Sequence, residues 1–132
     1  MMTPDEERFL AEFENCTLAA AHWSHRAHVY MAWLQLRRAP LETALIRIRA
    51  GIRRYNSEVL DRSLQYHDTV TVAYTRLIAA AMMDGESFET FCGRNPGLLS
   101  KCPILADYYS AECLASENAR AGFVEPDRKP LP

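Results

Sequence analysis

The sequence predicts an all-α protein: one helical bundle of four main helices, short C-terminal helices and an extended proline-rich tail. Three observations carry this. Apolar residues recur at helical spacing through most of the 132 residues. Helix starts and stops are written into the chain as capping residues, Pro and Gly. Strand-like alternation is confined to the short run Thr69-Val-Thr-Val, and it continues directly into the helical pattern Arg76-Leu-Ile-Ala-Ala-Ala-Met-Met. The length suits a single domain, 1–132, with a sizeable core.

The elements follow in order. Thr3-Pro-Asp-Glu6 opens the first helix, with Thr3 as cap, Pro4 in the first turn and Glu6 completing a capping box. Phe9, Leu10 and Phe13 give it an apolar stripe to about Asn15. The spacing predicts a second helix from near Leu18 to near Arg38, ended by Pro40. It is apolar on two sides, so it belongs at the centre, against helices one, three and four. Pro40 opens helix three, with Leu41, Ala44, Leu45, Ile48, Ile52 and Tyr55 inward and arginines beside them. Asn56 to Tyr66 reads as a connector in which Val59, Leu60 and Leu64 are able to pack. Helix four runs from near His67-Asp68-Thr69 to about Met83, before Asp84-Gly85. Ser87 caps a short helix that Asn95-Pro-Gly97 breaks. Another follows Pro103 through Leu105, Tyr108, Tyr109 and Leu114, and a last turn lies between Ser116 and Phe123. Pro126, Pro130 and Pro132 keep about 124–132 irregular.

Composition narrows the function classes. The apolar fraction of 48% and charged fraction of 24% are those of an ordinary globular domain. A net charge of -2 argues against a dedicated nucleic-acid binder. No apolar run reaches membrane-spanning length and no signal peptide is visible, so the expectation is cytoplasmic, with no membrane partner. The acids of residues 1–15 and the seven arginines of 37–62 read as two helix faces of opposite sign. Cys16, Cys92, Cys102 and Cys113 form no C-x-x-C pair and read as free, buried thiols. The oligomeric state is left open.

Chemistry concentrates in the histidines. His22, His25 and His28 are spaced by three, and on one helix their rings lie within about 60° of His25, on the face of Leu18, Val29, Ala32 and Leu36. Imidazole is the commonest metal ligand, and residues three apart on a helix project together. A bundle completes such a site from a facing helix. His67 is the obvious third ligand, leaving one position open on a divalent ion such as zinc, iron or manganese. Asp68 suits an N-cap or a carboxylate behind a ligand. Thr71 and Tyr74, below His67 on the wheel, add hydroxyls. Glu14 is an extra carboxylate, and His22 the weakest member. The same residues, with Trp33, alternatively line a metal-free pocket for a small polar ligand. A third reading has the histidines only hydrogen-bonded inside the core of a structural or interaction protein.

Trp23-Ser-His25-Arg-Ala-His28 and Tyr66-His67-Asp68-Thr69-Val-Thr71 together resemble the signature of a small uncharacterised bacterial family. Its pattern is aromatic-x-His-x-x-His plus Tyr-His-acid-Thr-x-Thr. The segment from Ala119-Arg120 to Pro126-Asp-Arg-Lys-Pro-Leu-Pro132 is similar as well. The resemblance implies no activity, but it selects His25, His28 and His67 over His22. His67-Asp68, with histidines upstream, also resembles the dyad of HD-domain phosphohydrolases, implying metal-dependent phosphoester hydrolysis. Gln65-Tyr66 replaces the usual apolar lead-in, and only Asp84 and Asp107 stand for the distal aspartate.

Overall fold

The computed structural model describes residues 2–100 and 103–132. Among them the chain is all-α, with eight α-helices and three 3-10 turns and no strand. Thr69-Val-Thr-Val is helical. No helix among the described residues is long and apolar enough to cross a membrane. Two compact units divide the chain, Met1–Tyr66 and His67–Pro132.

In the first unit, α1 spans Pro4–Glu14. Thr3 Oγ1 accepts the Glu6 amide at 3.2 Å and Glu6 Oε1 accepts the Thr3 amide at 2.9 Å, the reciprocal capping box the sequence predicts. Cys16, at φ 60°, turns the chain. The single helix expected from Leu18 to Arg38 is two elements. Ala20–His22 is a 3-10 turn, and α2 is His25–Arg38. Ser24 is the reason: its hydroxyl accepts the Ala27 amide at 3.2 Å, so it caps a fresh helix. Trp23, just before it, takes a non-helical backbone, and its indole is stacked on Phe13 at 4.7 Å.

Residues Met31 to Gln35 of α2 are all buried, so the helix is covered on every side through that turn. α3, Leu41–Glu58, places Ala44, Ile48, Gly51 and Tyr55 inward. Leu41 is exposed and Leu45 and Ile52 are half-buried. Tyr55 is fully buried and donates its hydroxyl to the Leu18 carbonyl at 2.6 Å. Its ring joins Phe13 and Trp23 in one aromatic cluster. Gly51 is required by that cluster, since a Cβ there would lie 2.6 Å from Phe13 Cε2. The two charged faces meet in this unit. Arg37 pairs with Glu6 at 3.1 Å, Arg38 with Glu14 at 3.8 Å, and Arg54 donates to the Glu14 carbonyl at 3.2 Å. Each such part-exposed pair is worth well under about 1 kcal/mol. After a 3-10 turn at Ser63–Gln65, Tyr66 is buried beneath the Arg53 guanidinium, 4.6 Å away. Val59 and Leu60 are half-buried, while Leu64 is exposed.

The second unit begins with α4, Asp68–Ala81, which ends two residues before the predicted stop. Gly85 turns the chain at φ 78°. α5 is Phe88–Arg94, capped by Ser87 as predicted, and α6 is Pro96–Leu99. The helix expected from Pro103 through Leu114 is broken. A 3-10 turn covers Pro103–Asp107, and α7 is Ala111–Leu114. Ser110 breaks it: its amide goes to Asp127 Oδ1 at 2.8 Å instead of to a helical carbonyl, and its hydroxyl accepts the Cys113 amide at 3.1 Å. α8 is Glu117–Ala121. The following segment is irregular as expected, but it is tied down. Thr69, fully buried, donates to the Gly122 carbonyl and accepts the Val124 amide, both at 3.1 Å. Cys16, Cys92 and Cys113 are half-buried, and burial pushes the Cys16 and Cys113 thiols up. Cys102 lies outside the described residues.

Two outcomes follow. Gly51→Ala sets the gain in helix propensity against a clash with the fully buried Phe13 ring, which is packed against Trp23 and Tyr55. It should lower the unfolding free energy by about 1–2 kcal/mol in a urea titration. In the second unit the Arg94 guanidinium hydrogen-bonds Glu86 and holds its carboxyl below the ordinary value of 4.5. A depressed pKa contributes stability above the unfolded value and loses it as pH falls through the folded one. Stability should therefore decline below pH 4.5 more steeply than in Arg94→Met, and a carboxyl NMR titration should return Glu86 to the ordinary value in that variant.

Candidate functional site

The N-terminal turns of α2 and α4 position the motif histidines. His25 is the first residue of α2 and is half-buried. His28, one turn further, is also half-buried, and its ring lies against Trp23 with centroids 3.9 Å apart. His28 Nδ1 is 2.8 Å from the Ser24 carbonyl. A carbonyl only accepts, so Nδ1 carries the proton and, in the neutral ring, the lone pair is on Nε2. His22 is not on this face. It lies in the separate 3-10 turn and is exposed, because Ser24 starts the helix after it.

His67 is where the structure departs furthest from the expected role. It is the N-cap of α4, a position the sequence reading offered to Asp68. Its Nδ1 accepts the Val70 amide at 3.2 Å, and its Nε2 is 2.7 Å from the Leu114 carbonyl. The amide must donate and the carbonyl must accept. The ring is therefore the neutral Nε2–H tautomer, with both nitrogens held by main-chain groups. Asp68 is instead the first helical residue, where a negative charge is favoured by the helix dipole, and it is only 3% exposed.

Thr71 donates its hydroxyl to the His67 carbonyl at 3.0 Å, and Thr75 repeats the pattern to Thr71 at 2.8 Å. Their hydroxyls serve their own helix. Tyr74 is half-buried. Glu14 accepts from Gln35 Nε2 at 3.3 Å besides its Arg38 pair. Trp33 is fully buried under the Arg37 guanidinium, 4.7 Å from the ring centroid, so it lines no open surface. His25 and His28 belong to the first unit and His67 to the second. Among the described residues no group of three or more His, Cys, Asp or Glu side chains is arranged to hold a metal ion.

The sequence reading missed Ser24, Ser110, Thr69 and Asp127. Ser24 and Ser110 carried a signal, since each precedes an apolar helical run at cap spacing. Thr69 and Asp127 carried none, because their partners are more than fifteen residues away.

If His67 is a cap and tether, His67→Ala should cost about 2 kcal/mol of unfolding free energy, roughly half for each interaction. His67→Asn, which still caps, should recover about half. Chemical denaturation of the three proteins measures both differences.

No protein family, curated protein or solved structure matches the chain.

Proposed function

We propose that the chain is a metal-free helical binding or interaction protein in which the motif histidines serve its architecture. The observation that carries this is His67. Recruiting it to a metal means breaking either the Val70 or the Leu114 hydrogen bond, and each exchange leaves a main-chain group unsatisfied. The dyad chemistry of an HD-type phosphohydrolase meets the same obstacle, since it also needs the His67 ring on a metal. Membership of the small bacterial family suggested by the two motifs belongs to this proposal, and it adds no activity to it.

One observation favours a second reading, a divalent metal held by His25 and His28 without His67. His28 directs Nδ1–H at a main-chain carbonyl, the kind of contact that orients metal-bound imidazoles.

Metal titration separates the readings. For the first, protein prepared without chelator carries no stoichiometric metal, and zinc, iron or manganese leaves the melting temperature unchanged. Stoichiometric metal lost in His28→Ala but kept in His67→Asn establishes the two-histidine reading. Metal lost in both variants restores the three-histidine centre and overturns the first.

A further inference from the structure

Residues 123–132 make an unusual set of contacts for so irregular a segment. Tyr109 donates its hydroxyl to the Val124 carbonyl at 2.7 Å. Asp127 receives two hydrogen bonds from Ser110, the amide at 2.8 Å and the hydroxyl at 2.6 Å. The Arg128 amide donates to the Tyr108 carbonyl at 2.9 Å, and the Lys129 ammonium lies 4.9 Å from the centre of the Tyr108 ring. Arg76 donates to the Pro132 main-chain oxygen at 3.2 Å.

The composition of these contacts matters more than their number. Leu131 is the one buried apolar side chain among residues 123–132, and Phe123 and Val124 are half-buried. The rest is polar. Pro126 and Pro130 stiffen the segment, so it has less freedom to gain on release and tends to move as one piece. One further hydrogen bond, from the Val124 amide to Thr69 Oγ1 at 3.1 Å, joins the segment to α4. A segment held mainly by hydrogen bonds, with one buried apolar side chain, opens at lower cost than the helices beneath it.

We propose that residues 123–132 are a strap, latched by Ser110 and Asp127, that opens as a unit while α4 stays folded. Opening uncovers the Tyr109 hydroxyl, the Tyr108 ring and the Arg76 guanidinium together. Ser110 is the fixed side of the latch. Its hydroxyl accepts the Cys113 amide that starts α7 while donating to Asp127, so latch and helix start share one side chain. The hydrogen bonds from the Ser110 hydroxyl and amide also hold the Asp127 carboxyl below its ordinary range, as expected of a charge-assisted latch. Burial, with the nearby Glu125 charge, pushes Tyr109 up to about 12, so its hydroxyl remains a donor to the strap at any ordinary pH.

The strap carries its own reporter. Arg128 is exposed, and Lys129 is followed by proline, so trypsin reads opening at the Arg128–Lys129 bond. In the full-length protein, Asp127→Ala should raise the rate of that single cleavage by about tenfold or more, each rate being divided by that of the same sequence unfolded in urea because Asp127 adjoins the cleaved Arg128. Asp127→Asn, which keeps an acceptor but loses the charge, should fall between. Hydrogen exchange of the Val72 and Ala73 amides in α4 should be unchanged in both variants. Equal cleavage rates in parent and Asp127→Ala would overturn the latch. Strap and α4 amides exchanging in step would overturn independent opening. If Asp127→Ala does not fold, Leu131→Ala tests the same strap from its far end, with the same two readouts and the same outcomes.

Discussion

The unpaired amides at the first turn of each helix set the layout of this chain. A helix leaves its first amides without partners, and something nearby must accept them. Here six of the eight described helices begin on a side chain that accepts the amide three residues on: Thr3, Ser24, His67, Ser87, Ser110 and Ser116. The helices are short in the second unit, so such starts are frequent there. Where a cap falls, a helix is divided. Ser24 separates His22 from His25, and Ser110 separates Tyr109 from Cys113.

The histidine pattern takes on a different meaning under this constraint. Imidazole offers a lone pair as well as a proton, so His67 caps α4 with one nitrogen and reaches the Leu114 carbonyl with the other. A serine or aspartate cap would accept the amide but would not make that second contact from the same ring geometry. His28 does related work at α2, holding the Ser24 carbonyl and lying on Trp23. Through Trp23 it joins the aromatic cluster with Phe13 and Tyr55 that requires glycine at 51. The first unit is thus organised by ring packing around one small residue. The second is organised by side chains bonded to main chain, with Thr69 and Ser110 each tying a helix start to residues 122–127.

Much of the fold was legible. The capping box at Thr3 and Glu6, the two-sided burial of α2, the helical state of Thr69-Val-Thr-Val and the Ser87 start all follow from local rules that hold over a few residues. The candidate site was less legible. The wheel placed His22 beside His25 because it assumed one unbroken helix, and a serine in mid-pattern is a weaker signal than a proline. Asp68 was preferred over His67 as the cap because carboxylates outrank imidazoles in general. That preference is overridden at His67, whose ring also has a carbonyl to meet forty-seven residues away.

By itself the sequence determined the helical class, the helix starts with strong caps and the segment that holds the histidines. These rest on period and on interactions within one turn. Only the tertiary structure decided what the polar side chains outside those caps do. Tyr55 meets Leu18, His67 meets Leu114, Thr69 meets Gly122 and Asp127 meets Ser110. Each pair joins residues remote in the chain, and which lone pair or proton a side chain offers is fixed only when its partner arrives.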